Sequence, residues 1–129
     1  MTLPDGHLDD ALLQALFASD LAQEVRAEFN ERRGYGMSVV EATGEVIGSF
    51  RHLLERPEEG PVVIVTLAAL QLLDGELHAT MRDAAVELLR EGHGFERRSD
   101  ETAQRRRERE RLREELCAAV EAAAVVDED

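Results

Sequence analysis

The chain has no tryptophan, one tyrosine, one cysteine and three prolines in 129 residues, and all fifteen of its basic residues are arginine. Each scarcity excludes something. A lone Cys117 cannot close an internal disulfide, and a thiol-poor chain suits a reducing compartment. No apolar run is long enough for a membrane span: the longest, Pro61 to Leu73, rises roughly 20 Å against a hydrocarbon core of ~30 Å. Glu58, Glu59, Asp74 and Glu76 flank it. The N-terminus lacks the basic, apolar and small-residue pattern of a secretory signal, so a cytoplasmic protein is expected.

Catalytic signatures are also missing. There is no P-loop, no G-x-G-x-x-G, no H-E-x-x-H and no repeated E-x-x-E pair. Ser38 is a helix cap with no histidine spaced to activate it. His7 with Asp9 and Asp10 lacks the second histidine of a convincing metal site, and His78 and His93 lie near opposite ends of one helix. Asp83 and Glu87 share a solvated face with Arg90 and Glu91. No catalytic, cofactor-binding or metal-ligating residue is therefore assigned, and the sequence alone does not establish an activity.

What is present is acid. Twenty-eight acidic residues against fifteen arginines leave a net charge of −13. The arginines are unevenly placed: from Arg97 to Arg113 eight stand against four acids, net +4, which leaves −17 for the rest. An acidic body opposes phosphate backbones within a screening length of ~8 to 10 Å, and no aromatic residue interleaves the arginines for base stacking. The same charge suits a basic protein partner, because opposite potentials speed association and help specificity.

Also present is helix punctuation. Ser38 with Glu41 is a capping box. Val39, Val40, Thr43, Val46, Ile47, Phe50, Leu53 and Leu54 follow at steps of three and four, predicting one amphipathic helix. Gly44 and Gly48 inside it should cost ~2 kcal/mol against alanine, which predicts close approach of another helix at a G-x-x-x-G notch, or else of a ligand or partner backbone. Pro61 to Leu73, apolar on every face except Thr66 and Gln71, predicts a central buried helix that Asp74-Gly75 stops. Gln71, the one amide there, is expected to be a hydrogen-bonded core strut.

Leu77, Met81, Ala84, Ala85 and Leu88 predict a further helix ended by Gly92-His93-Gly94. Upstream, Leu8, Leu12, Ala15 and Leu16 suit one helix and Leu21, Val25 and Phe29 another, ended by Gly34-Tyr35-Gly36. Asp20 with Gln23 caps a restart between them, or the run from His7 to Arg33 is continuous. The last helix, roughly Asp100 to Ala124, has no apolar residue from Gln104 to Arg111. Beyond that its Leu112, Leu116 and Val120 make a stripe narrow enough for a coiled-coil seam, predicting a homodimer, against an internal role closing the monomer core. Pairs of Glu101 with Arg105, Arg106 with Glu110 and Arg111 with Glu115 are expected along its surface.

Ala22, Glu24-Val25-Arg26, Glu28-Phe29, Ser38, Glu41-Ala42-Thr43, Pro57, Gly60-Pro61-Val62, Leu67-Ala68, Gln71, Gly75 and Leu77 carry a resemblance. In that order they resemble an uncharacterised family of small bacterial proteins with an S-x-x-E-A-T helix start and a G-P-V opening to an apolar helix. Ile64 and Leu72 stand where that pattern has tryptophans. The resemblance implies one helical domain with Gln71 as a recurring core amide, and implies no activity.

The expectation is an all-α single domain over 1–129. Five or six helices pack around 61–73, with a longer Arg/Glu-rich C-terminal helix. Function is read as a cytoplasmic protein-binding module with an acidic surface, immunity-like or regulatory. The alternative is a small-molecule binder or enzyme using a pocket near Gly44, Gly48 and Gln71.

Overall fold

The computed structural model describes residues 8, 10–95 and 101–126, and among them the fold is all-α. Seven helices follow in order: α1 Asp10–Leu16, α2 Asp20–Gly34, α3 Val39–Ser49, α4 Arg51–Leu54, α5 Glu59–Leu73, α6 Ala79–Arg90 and α7 Ala103–Ala122. α5 is the axis, packed by α2, α3, α4, α6 and α7, while α1 lies against α7. Its apolar surface demands that position. Val63, Val65, Leu67, Ala68 and Ala69 are essentially without solvent contact, and only Leu73, at its last turn, stands out into water.

The helix ends follow their local chemistry. Ser19 separates α1 from α2, accepting at 3.1 Å from the Ala22 amide. The cap is therefore Ser19; Asp20, expected in that role, is the first helical residue and sits at the positive end of the helix dipole. Gln23 instead donates its side-chain amide to the Phe17 carbonyl at 2.9 Å, closing the same corner. The Ser38/Glu41 capping box forms in both directions, at 3.1 and 3.0 Å. α5 stops where Gly75 takes φ +76° and the Glu76 amide reaches back to the Gln71 carbonyl at 2.9 Å. A left-handed residue of this kind is cheap only for glycine.

Two expectations are corrected. The single helix predicted from Ser38 to Leu54 is broken at Phe50, whose φ of −105° and ψ of 15° end α3 and begin α4. Gly48-Ser49 immediately before it is a pair at which helices kink. The coiled-coil seam is corrected as well. Leu112, Leu116 and Val120 are buried within one chain, where α7 packs on α6, α1 and α5. With α6 on that face, the same stripe cannot also face a second copy. Beyond α7, the Val126 amide donates to the Leu77 carbonyl at 2.7 Å, so the chain at Val126 is pinned beside the start of α6.

Among the described residues no helix is long and apolar enough to cross a membrane.

Candidate functional site

α3 presents two faces of different character. Its inner face, Val39, Ala42, Thr43 and Val46, is buried. Thr43 belongs there for a polar reason that its place in an apolar stripe concealed: its hydroxyl accepts from Gln71 Nε2 at 3.0 Å. Gln71 Oε1 in turn accepts from the His78 amide at 3.0 Å. One buried side chain thus ties α3, α5 and the start of α6 together. Gln71 is spent on structure, and its amide is not offered to a ligand.

The outer face is open. Gly44 and Gly48 are exposed, and a Cβ built on either would meet nothing within 4 Å. The close helix approach expected at this notch is therefore not made within the described residues. Val40, one turn before Gly44, is 55% exposed. Ile47, half-buried, borders the same stripe. At 100° per residue, Val40, Gly44 and Gly48 stand on one flat strip, with Glu41 and Glu45 on its flank. Glu41 is held by Ser38, whose backbone N–H and then hydroxyl keep the carboxyl below the ordinary range. Glu45 lies 3.9 Å from Arg32. Beyond Phe50, Arg51 and His52 are exposed, as expected for His52. Tyr35, 71% exposed, stands on the turn leading into α3. The strip is apolar but flat, bordered by carboxylates and continuous with solvent.

Close glycine packing does occur, at a position that sequence reading missed. A Cβ on Gly60 would lie 2.3 Å from the Leu54 carbonyl oxygen and 2.9 Å from its carbon. Here the first turn of α5 crosses the end of α4 with room for hydrogen alone. Gly60 sits in a break-and-restart sequence, R-P-E-E-G-P, and looks like punctuation, which hid its packing role.

The other candidates separate in space. Gly44 and Gly48 face water while Gln71 is turned into the core, so the three do not line one pocket. His7 and Asp9, which with Asp10 lacked the makings of a metal site, lie outside the described residues, and so do Arg97, Arg98 and Asp100. Among the described residues no three His, Cys, Asp or Glu side chains are grouped to hold a metal ion. Cys117 is half-buried on α7, and burial pushes its thiol up, away from the reactive thiolate. His78 is buried beside Glu76, 3.1 Å from its carboxylate, and His93 is half-buried in the loop after α6.

Of the three ion pairs expected along α7, Arg111 with Glu115 forms. Glu101 pairs with Arg109 in place of Arg105. Arg106 and Glu110 have no ion pair among the described residues.

No protein family, no curated protein and no solved structure matches this chain.

Proposed function

We propose that this chain is a cytoplasmic protein-binding module, immunity-like or regulatory, that offers the outer face of α3 to a basic partner. The observation that carries the reading is the open strip of Val40, Gly44 and Gly48. Two glycines inside an eleven-residue helix, one of them next to its end, cost roughly 1.5 kcal/mol against alanine, and nothing in the described chain uses the space they leave. A partner backbone laid across the strip would use it. Glu41 and Glu45 along its edge, on a body of net −17 outside residues 97–113, favour arginines or lysines on that partner and oppose nucleic acid.

The test is affinity capture followed by calorimetry with the recovered protein. Gly48→Gln fits the open space, so the variant should fold and melt no lower than the parent. Its affinity for the partner should fall at least about tenfold, the loss of a close-packed contact worth about 1.4 kcal/mol or more. Added salt should weaken the parent complex. A partner that binds Gly48→Gln undiminished, or whose affinity is indifferent to salt, refutes the assignment.

A further inference from the structure

A second place in the molecule, away from α3, has the makings of a small-molecule site. Between the α1–α2 corner and the first turns of α7 lies a cavity of about 460 Å³. That is within the ~300 to 1,000 Å³ range typical of ligand pockets. Ala15, Ala18, Phe95 and Leu112 supply an apolar wall. The remaining lining is Ser19 and five charged residues, Asp20, Glu101, Arg105, Glu108 and Arg109, and most of those charges are already matched. Glu101 and Arg109 pair with only 10% and 16% of their side chains exposed, the driest two-sided ion pair among the described residues. Glu108 is gripped by Arg111, from Nε at 3.2 Å and again from Nη2. Asp20 lies at the positive end of α2, where the dipole favours a carboxylate.

Asp20, like Arg105, makes no ion pair among the described residues; Arg105 is the cation left without one. It also stands three residues past the Thr102 cap, with its backbone amide on the Thr102 hydroxyl at 3.1 Å. That is the positive end of α7, where a cation is disfavoured and an anion is welcome. An exposed arginine without an ion pair thus shares the lining with an apolar wall, at the end of a helix that itself attracts negative charge.

We infer that this cavity binds a small organic anion with an apolar body, its acidic group on Arg105 and its hydrocarbon against Phe95 and Leu112. This site is separate from the α3 surface, and its success or failure is independent of that reading.

The test uses the full chain and two matched fluorescent probes. Anilinonaphthalene sulfonate carries the anion; phenylnaphthylamine carries a like ring system without it. The sulfonate should bind saturably at one site per chain, with affinity falling as salt rises, and tighter than the neutral probe by about tenfold. Arg105→Gln should lose about that factor. Arg107→Gln, an equal change of charge on α7 outside the cavity lining, should not. Circular dichroism of both variants should match the parent, since both arginines are exposed. The inference is overturned by sulfonate binding that does not saturate, by equal affinity for the two probes, or by equal effects of the two substitutions.

Discussion

Alanine at three helical glycines should move stability in opposite directions, and the space around each Cβ decides the sign. At Gly44 and Gly48 a Cβ meets nothing within 4 Å, and neither residue has positive φ. Alanine there gains helix propensity, about 1 kcal/mol in mid-helix and about half that near the end. The double variant should therefore be more stable by ~1.5 kcal/mol. For 129 residues an unfolding entropy of ~2.1 cal/mol/K per residue converts 1 kcal/mol into roughly 4 °C, so Tm should rise by about 6 °C. Gly60→Ala must accommodate a Cβ 2.3 Å from a backbone oxygen. Only movement of α4 against α5 relieves that, and overpacking of this kind costs ~1 to 3 kcal/mol, little offset by propensity in a first turn. Tm should fall by roughly 4 to 11 °C. Urea titration with unchanged m-values would confirm that both effects are on stability. A Gly44/Gly48 double variant that melts below the parent would show that the notch is filled within the chain and would remove the argument for a partner there.

Three further outcomes follow from the core. Leu67, fully buried on α5, should cost ~2 to 5 kcal/mol as Leu67→Ala, against less than ~0.5 kcal/mol for His52→Ala at an exposed position, measured by the same urea titrations. Gln71→Leu keeps the volume but removes the partners of Thr43 and the His78 amide, so it should destabilise by ~2 to 4 kcal/mol. Adding Thr43→Val should recover part of that loss in a double-mutant cycle. Leu116→Glu should unfold the chain, read as lost helix signal, because the stripe closes one chain's core; a folded variant of lower mass in sedimentation would restore the dimer seam. On the acid side, Glu41 has a lowered folded-state pKa. Its contribution is therefore present above the ordinary carboxylate range and lost as pH falls through the folded value. Glu41→Gln should flatten that part of the pH–stability curve.

Much of the architecture was legible because it is written in short-range chemistry. The Ser38/Glu41 box, the Asp74-Gly75 stop and the all-round apolar run of α5 each act within a turn or two, so periodicity and caps were enough to expect an all-α bundle around α5. The strut role of Gln71 was legible for a related reason: a buried amide must be satisfied. Its partners were not, since Thr43 and His78 are brought to it by packing across 28 and 7 residues.

The functional surfaces depended on long-range geometry. The sequence placed Gly44 and Gly48 on one face of α3 but could not say whether a helix lay over that face. Only the packed chain leaves them in water, while Gly60, whose R-P-E-E-G-P surroundings read as a helix restart, takes the close crossing. The stripe on α7 was equally visible and equally ambiguous: an apolar seam has the same pattern whether α6 or a second copy fills it. Which one fills it depends on where the chain's other helices end up, and that is a property of the whole fold, because burial is settled by every element that competes for the same face.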